Sequence, residues 1–318
     1  MANEETISHL ISVSGGKDST ALLILAKLER GLDVQAVFAD TGHEHPETYR
    51  YLEYLDQALG PITVVRADLS ARFDRKRETI ANKWPKDGVP EKRIKRALEL
   101  LHPTGNPFLD LCMLKGRFPS TRARFCSQEL KHIPIRDLVV EPLMLDGYTV
   151  VSWQGVRAEE SRSRANLPIV DEPEDGLIVY RPLIHYTAKE VFDLHRKHGI
   201  RWNPLYEQGM GRVGCMPCIH ARKPEIAEIA KRWPNEIERV AEWEQLVGAV
   251  SKRGLSSFFA HDKTPGDHQG KAGVRMPDIW GVVEWSKTSR GGSQYVLQID
   301  DNPLEMCSSI YGLCESAH

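Results

Sequence analysis

A short glycine-containing segment near the N-terminus restricts the fold of this chain more than any other feature. The segment Ser14-Gly15-Gly16-Lys17-Asp18-Ser19-Thr20 follows a largely apolar run, 7–13, and leads into a second apolar run, 21–28. This pattern is typical of a buried strand, a tight turn and the start of a helix. Glycines let the backbone approach an anion, and the amides and dipole of a helix N-terminus favour negative charge. The segment therefore predicts a phosphate-binding loop.

The spacing of this segment differs from that of Walker P-loops. Its glycines are adjacent, and Lys17 precedes the acidic Asp18 rather than a hydroxyl residue. The competing interpretation is an ordinary glycine turn between a strand and a helix, with Asp18 capping that helix.

Strands and helices alternate after this segment. The apolar run 34–39 reads as a strand that ends at Asp40-Thr41-Gly42, Pro46 opens a helix, and 62–65 reads as a third strand. Such alternation predicts an α/β fold, with a parallel sheet, helices on both faces, and ligands bound beyond the carboxyl ends of the strands. Ser14 and Asp40 both lie at such ends.

We predict two regions. Residues 1–205 form a nucleotide-binding domain with an insertion at about 74–122, and residues 206–318 form a cysteine-containing region of helices and short strands. The smaller expected elements are a basic helix at 92–101, strands at 148–153 and 177–180, helices at 187–198, 224–231 and 234–250, a flexible or partner-ordered segment at 251–275, and two short strands within 281–299.

His195 lies on the apolar face of the predicted helix 187–198, so we interpret it as a packing residue rather than a ligand.

The composition is that of an ordinary soluble protein. A net charge of −2 creates no global field for nucleic acid or membrane, although local basic patches remain compatible with it. No apolar run reaches membrane-spanning length and the N-terminus lacks a signal-peptide pattern, so we expect a cytoplasmic location and no membrane partner. A cytosolic compartment keeps thiols reduced, and the grouping of the six cysteines therefore suggests metal or redox chemistry.

Four motifs occur in the order found in one known family. Ser14–Ser19 resembles the SGGxDS PP-loop of ATP pyrophosphatases, and 40–48 resembles a DTGxxFPET element in which His45 replaces the Phe. The segment 155–164 is similar to GxRxxES/SxxR, and 203–215 is similar to NPLYxxGxxRxGC. The chain thus resembles the phosphoadenylyl-sulfate (PAPS) reductase-like family of PP-loop, or adenine nucleotide alpha hydrolase, ATP pyrophosphatases, including its iron–sulfur members that transfer sulfur.

The resemblance implies an adenine nucleotide, ATP or PAPS, bound with Mg²⁺. The residues it implies for binding are Ser14, Gly15, Gly16, Lys17, Asp18, Ser19, Thr20, Asp40, Thr41, Gly42, Gly155 and Arg157. The catalytic residues it implies are Lys17, Asp18, Arg157 and Cys314. Asp18 and Asp40 are either Mg²⁺ ligands or cap and turn residues. Arg162 and Arg164 either bind phosphate or form a solvated helix face.

The cysteines allow more than one arrangement. Cys215 and Cys218 have CxxC spacing, which favours metal ligation or dithiol redox chemistry. By resemblance we expect Cys112, Cys126, Cys215 and Cys218 to bind a [4Fe-4S] cluster, with zinc as the alternative and with Phe125 replacing one cysteine of the family pair. Alternatively Cys307 and Cys314 join the CxxC pair around a metal, or Cys314 is a nucleophile like that of the reductases' C-terminal ECGxH tail.

The leading functional hypothesis is an ATP-dependent sulfur transfer of the tRNA-thiolation or DNA-phosphorothioation type, because the PP-loop is intact. The alternative chemistry is PAPS or adenylyl-sulfate reduction. A hypothesis of another class is a non-catalytic, zinc-containing module that binds nucleotide or nucleic acid. Its basic face would come from Lys92, Arg93, Lys95, Arg96, Lys115, Arg117, Arg122 and Arg124. The sulfur donor and acceptor are unassigned, and a homo-oligomer or partner protein fits each hypothesis.

Overall fold

The computed structural model describes residues 6–172, 176–259 and 278–288. Cys307, Cys314 and the part of the predicted two-strand region beyond residue 288 lie outside these residues, as does most of the predicted flexible segment 251–275.

A six-stranded sheet forms the centre of the N-terminal two-thirds of the chain. Its strands are β1 (Ile7–Ser12), β2 (Val34–Asp40), β3 (Ile62–Arg66), β4 (Thr149–Trp153), β5 (Val170–Asp171) and β6 (Ile178–Tyr180). Their order is β3-β2-β1-β4-β6-β5, and all neighbours are parallel except the antiparallel pair β5 and β6. The predicted α/β fold with a parallel sheet is confirmed.

Helices connect and cover the strands. They are α1 (Lys17–Leu23), α2 (Pro46–Leu59), α3 (Ser70–Lys83), α4 (Glu91–Leu100), α5 (Pro107–Lys115), α6 (Phe125–Ser127), α7 (Ile133–Ile135), α8 (Glu141–Leu145), α9 (Arg162–Ala165), α10 (Ala188–Lys197), α11 (Lys223–Arg232), α12 (Pro234–Ala249) and α13 (Ile279–Ser286). α1 continues as π-helix over Ile24–Glu29, and two further π-helical turns, Gln128–His132 and Arg136–Val140, join α6, α7 and α8 into one helical stretch.

Alternating strand residues bury both faces of the sheet. Leu10 of β1 packs in a cluster with Val140, from the helical stretch that ends in α8. The next residue, Ile11, packs in a different cluster with Leu22 of α1 and Leu55 of α2. Successive strand side chains point to opposite faces, so these two clusters place helices on both sides of the sheet, as predicted.

A third core lies among the helices outside the sheet. Leu111 of α5 belongs to the same buried cluster as Trp84, after α3, and Val240 of α12. Pro103, Gly105 and Pro107 are typical of a loop, but α5 begins at Pro107. Pro107 occupies its first turn, and the side chain of Asn106 accepts a hydrogen bond from Leu109 N at 3.0 Å. A proline and a capping asparagine are therefore helix-start signals at this position.

The C-terminal part of the described chain differs from the prediction at one element. The sequence predicts a short strand from residue 281, and that prediction is wrong for 281–286 because these residues belong to α13. The side chain of Asp278 accepts a hydrogen bond from Gly281 N at 2.9 Å and so caps this helix. In the stretches that the structure describes, we find no helix with the length and apolarity needed to cross a bilayer.

Candidate active site

The phosphate loop, which we define as Ser14–Thr20, connects β1 to α1 as predicted. Gly15 has a φ of +72°, and a Cβ atom on this residue would lie 2.7 Å from Thr48 Cγ2. Glycine is therefore required there on both counts. Ser14 N donates to Ser19 Oγ at 3.1 Å, and Ser19 Oγ donates to Gly16 O at 3.0 Å. These bonds close the loop over the first turn of the helix.

Three side chains from distant parts of the chain hold the phosphate loop. His195 Nε2 lies 2.9 Å from Lys17 O, and Asn203 Nδ2 donates to Gly15 O at 3.1 Å. Lys17 N donates to Tyr206 Oη at 3.1 Å. The other ring nitrogen of His195 lies 3.2 Å from Ile200 O, and burial lowers the pKa of His195. The interpretation of His195 as a packing residue is confirmed, and its packing positions the loop.

Alternating charges extend from the phosphate loop to the end of β4. The buried Lys17 contacts Asp18 with Nζ and Oδ2 2.7 Å apart, and Arg157 Nε donates to Asp18 Oδ1 at 2.6 Å. Arg157 also pairs with Glu159. Burial alone would lower the pKa of Arg157, but Asp18 and Glu159 raise it above its usual value. Lys17, Asp18 and Arg157 are thus brought together, and Asp18 forms ion pairs rather than a helix cap.

Gly155 allows this close approach. A Cβ atom on Gly155 would lie 3.1 Å from the carbonyl carbon of Asp18 and 3.2 Å from its oxygen. These contacts are backbone atoms that cannot swing aside, so a larger residue would push the phosphate loop away from β4.

Asp40 lies at the end of β2, where the sequence predicts it. Its Oδ1 accepts hydrogen bonds from Gly42 N at 2.8 Å and from Tyr49 Oη at 2.7 Å. Burial and the bond to Asp40 raise the pKa of Tyr49. The start of α5 covers this turn, because Phe108 N donates to Thr41 O at 2.9 Å and Asn106 Nδ2 donates to Gly42 O at 2.6 Å.

Glu44 and Lys131 belong to the site, although the sequence patterns predict no role for either residue. The side chain of Glu44 is 1% exposed, and its Oε1 lies 3.6 Å from Lys131 Nζ and 3.6 Å from Cys215 Sγ. Lys131 Nζ lies 3.8 Å from the same sulfur. Thr41 Oγ1 donates to Glu44 Oε2 at 2.8 Å. Through their contacts with Cys215, the two paired side chains join the residues after β2 and the helical stretch 125–145 to the CxxC segment. The sequence signal is weak: Glu44 lies within the 40–48 element, and Lys131 lies five residues after Cys126.

Backbone pairing makes the same connection. Glu44 and Cys215 form an antiparallel bridge, flanked by hydrogen bonds from His45 N to Gly214 O at 3.0 Å and from Met216 N to His43 O at 2.9 Å. The CxxC segment is therefore fixed beside residues 43–45, which follow β2.

His43 anchors the same connection in an aromatic cluster. It is 1% exposed, its ring stacks on Phe108 with centroids 4.3 Å apart, and its Nε2 lies 2.9 Å from Pro217 O. Burial, with the nearby Arg239, lowers the pKa of His43 to about 3. The imidazole is therefore neutral at ordinary pH.

The four predicted metal-binding cysteines lie in one neighbourhood. Cys126 is close enough to Cys112, Cys215 and Cys218 for their charges to affect one another. Burial raises the pKa values of Cys112, Cys126 and Cys215, and the Lys131 ammonium opposes this rise at the last two. All four are free thiols.

The residues that the structure describes do not form a metal cage. Within 6–172, 176–259 and 278–288, no three His, Cys, Asp or Glu side chains are grouped as they are around a metal ion. Cys112 is buried in the apolar core, and Asp18 is occupied by two cations. Neither the predicted four-thiolate site nor an Asp18–Asp40 Mg²⁺ site is assembled in this geometry.

The other arginines of the predicted phosphate-binding segment lie nearer solvent. Arg164 pairs with Glu160, and Arg162 is exposed at the start of α9. This placement resembles the solvated helix face more than the buried position of Arg157.

Comparisons with known proteins agree with the motifs. A model of the phosphoadenosine phosphosulfate reductase domain matches residues 8–221. An uncharacterized 37.8 kDa protein of Escherichia phage 186 is 52% identical over 98% of this chain and 98% of its own length. A nin region protein, ORF290, of Escherichia phage lambda is 31% identical over 70% of this chain and 69% of its own.

More distant similarity extends to named enzymes. A phosphoadenosine 5'-phosphosulfate reductase of Vibrio vulnificus is 25% identical over 71% of this chain and 72% of its own length. Among solved structures, the phosphoadenylyl-sulfate reductase of Candida auris in a phosphate complex has a TM-score of 0.42 and 17% identity, covering 67% of this chain and 84% of that one.

Proposed function

The chain belongs to the phosphoadenosine phosphosulfate reductase domain family, and on that premise we propose that it is an enzyme that uses ATP to activate an acceptor for sulfur transfer. The observation that carries the proposal is the loop geometry around Lys17. A glycine loop ends at a helix N-terminus, and the lysine side chain beside it pairs with Asp18, which in turn pairs with Arg157. This is an arrangement that can receive a departing pyrophosphate.

In the proposed reaction, an oxygen of the acceptor attacks the α-phosphorus of ATP. The bond between that phosphorus and the bridging oxygen breaks, pyrophosphate takes the electron pair, and AMP remains on the acceptor. A sulfur nucleophile then displaces AMP. The amides at the start of α1 and the ammonium of Lys17 would stabilise the negative charge on pyrophosphate. Arg157 would hold Asp18, and through it Lys17, in position. ATP fits this role better than PAPS because a PAPS reductase releases no pyrophosphate.

The thiols beside Lys131 support the sulfur-transfer half of the proposal. Cys215 lies next to Glu44 and Thr41, so a thiol is present beside the residues that follow β2. The [4Fe-4S] cluster, or zinc in its place, stays a prediction. It is tested by measuring iron, acid-labile sulfide and zinc in protein purified without oxygen. Stoichiometric iron and sulfide would support the cluster, and a metal-free, colourless and active protein would contradict it.

The alternative chemistry is reduction of PAPS or adenylyl sulfate, which the named Vibrio relative favours. Labelled ATP and labelled PAPS distinguish the two. Formation of AMP and pyrophosphate from ATP with a sulfur acceptor supports our proposal, whereas sulfite release from PAPS without ATP cleavage overturns it. If nucleotide binds and neither product forms with any acceptor, the non-catalytic binding module becomes the better description. Cytoplasmic location, a partner protein and homo-oligomer formation stay predictions.

The phosphate loop itself needs a separate test. Lys17→Ala should abolish pyrophosphate formation and weaken ATP binding at least tenfold, about 1.4 kcal/mol. Unchanged ATP affinity in this variant would mean that the nucleotide binds elsewhere.

A further inference from the structure

A cavity of about 390 Å³ lies between α3, the end of α5 and the segment 250–257. Of the described residues that line it, five are basic and none is acidic. The basic residues are Lys76, Lys115, Arg117, Lys252 and Arg253. We propose that this basic cavity binds the phosphates of a nucleic-acid strand, which is the sulfur acceptor. The acceptor role rests on the proposed function, whereas strand binding does not.

Two of the five cations form ion pairs with carboxylates of residues that do not line the cavity. Lys115 Nζ lies 2.6 Å from Glu129 Oε1, and Lys252 Nζ lies 2.6 Å from Asp87 Oδ2. Glu129 is shared, because Arg72 NH1 lies 2.7 Å from its other oxygen. One carboxylate therefore balances two cations, and positive charge remains in excess around the cavity.

The other three cations lack this compensation. In the parts of the chain that the structure describes, no carboxylate oxygen lies within 4.0 Å of the charged nitrogens of Lys76, Arg117 or Arg253. The neighbouring cations Arg72, Lys115 and Lys252 each have a carboxylate within that distance. Lys76 is half-buried, and burial together with Lys252 and Lys115 lowers its pKa. A bound phosphate would remove this like-charge repulsion and supply oxygens for charge-assisted hydrogen bonds.

The extent of positive charge favours a polyanion over a single phosphate. Arg93 of α4 extends the basic surface, because its NH1 donates to Lys252 O at 2.9 Å. Arg117, in the cavity lining, lies over the ring of Phe125, with its guanidinium carbon 5.7 Å from the ring centroid. Six cations around one cavity exceed what a single phosphate would balance, and they suit a strand that carries one charge per nucleotide.

The position of α5 connects this cavity to the active site. Phe108, at the start of the helix, contacts Thr41 directly after β2, and Lys115, at the end, lines the cavity. The seven residue steps from Phe108 to Lys115 span about 10.5 Å of α-helix. Phe125, against which Arg117 packs, immediately precedes Cys126. If a strand is bound in the cavity, its neighbouring nucleotides would therefore be within reach of both the bound ATP and the thiols.

Fluorescence anisotropy with labelled 20-nucleotide single strands tests the inference. The test variant is Lys76→Gln/Arg117→Gln/Arg253→Gln in the full chain, measured with RNA and DNA of the same sequence. We expect binding to weaken at least about tenfold. We also expect the slope of log affinity against log salt to fall by about 2, since each phosphate contact on a single strand contributes about 0.7. The wild-type preference for one strand type identifies whether the source of the phosphates is RNA or DNA.

The matched control removes three exposed cations elsewhere. In Arg136→Gln/Lys189→Gln/Lys287→Gln, each replaced residue pairs with a carboxylate away from the cavity. We expect less than a threefold change in strand affinity. Equal loss in both triple variants, or none in the cavity variant, overturns the inference. A cavity that binds millimolar inorganic phosphate, with strand affinity unchanged in the cavity variant, also overturns it.

Folding and nucleotide binding are checked separately. The cavity variant should keep the wild-type melting temperature and ATP affinity. If it does not fold, Arg253→Gln alone, at an exposed position, should weaken strand binding about threefold, and no change there counts against the inference. If the wild type binds strands through the cavity but does not cleave ATP, the proposed function fails while the strand-binding site stands.

Discussion

Arg157 Nε donates a hydrogen bond to Asp18 Oδ1 at 2.6 Å, and this bond joins the residues after β4 to the first turn of α1. The two residues are separated by 139 positions in sequence. Asp18 holds Lys17 with its second oxygen, so the position of the lysine depends on an arginine from a different strand.

Replacing Arg157 with Gln should therefore weaken ATP binding. The substitution leaves Asp18 free to attract Lys17 away from the phosphates, and it removes a charge-assisted hydrogen bond. We expect the Kd for ATP, measured by titration calorimetry, to rise at least tenfold, about 1.4 kcal/mol. Arg136→Gln, which removes an exposed arginine elsewhere, serves as the control and should leave the Kd unchanged. Equal affinities of Arg157→Gln and wild type would count against a role for the ion pair in binding.

Gly155→Ala tests the close approach of β4 to the phosphate loop. The added Cβ would meet the Asp18 backbone at 3.1 Å, so the loop must shift by a few tenths of an ångström. Small displacements of binding groups are costly, and we expect the rate of pyrophosphate formation to fall on the order of tenfold. Ser163→Ala, on the exposed helix α9, is the control. A normal rate in Gly155→Ala would show that the loop tolerates the displacement.

Lys131→Met should slow chemical modification of Cys215. The Lys131 ammonium opposes the rise that burial causes in the pKa of Cys215, so its removal should raise that pKa further. The thiolate is the reactive form, and one pKa unit changes its fraction about tenfold. Iodoacetamide labelling of the Cys215 peptide, followed by mass spectrometry at pH 8, measures the rate. The Lys131→Arg variant should retain most of the wild-type labelling rate, and the control Lys189→Met should retain all of that rate. A faster reaction in Lys131→Met would contradict the assignment.

The stability of the protein should fall in mild acid because of His43. Its pKa is about 3 in the folded state and 6.5 as the reference value. Between these values the unfolded chain binds a proton that the folded chain does not, so stability is lost as the pH falls below 6.5. We expect a loss of about 2 kcal/mol between pH 7.5 and pH 5 from this residue.

Urea unfolding at both pH values measures this loss. His43→Phe keeps an aromatic ring beside Phe108 but cannot be protonated. Its stability should therefore change by about 2 kcal/mol less than that of wild type over the same interval. Parallel pH dependence in the two proteins would show that His43 is not the residue responsible.

The sequence predicted those parts of the site that depend on strand ends. Ser14, Asp40 and Arg157 each follow a strand, and the carboxyl ends of parallel strands meet at one edge of the sheet. Their convergence therefore follows from the local patterns and the topology. The contact between Asp18 and Arg157 could not be predicted in the same way, because it depends on side-chain directions.

Contacts between side chains that are distant in sequence could not be predicted from local sequence patterns. Glu44 lies in the 40–48 element and Lys131 lies five residues after Cys126, but their pairing depends on how the helical stretch 125–145 packs against β2. The start of α5 was also not predictable from local patterns. Asn106 and Pro107 begin this helix, but asparagine and proline are equally common in loops. For the cysteines, the CxxC spacing was informative, but the burial of Cys112 in an apolar core was not visible.

The phosphate loop occurs early in the chain, yet the side chains that hold it occur late. His195, Asn203 and Tyr206 lie 178 to 189 residues from their partners in the loop. A ribosome must therefore complete two-thirds of the chain before the loop can take its final shape. Contacts of such long range also form slowly. We expect the nucleotide site to mature as a late step of folding, after the sheet around it has formed.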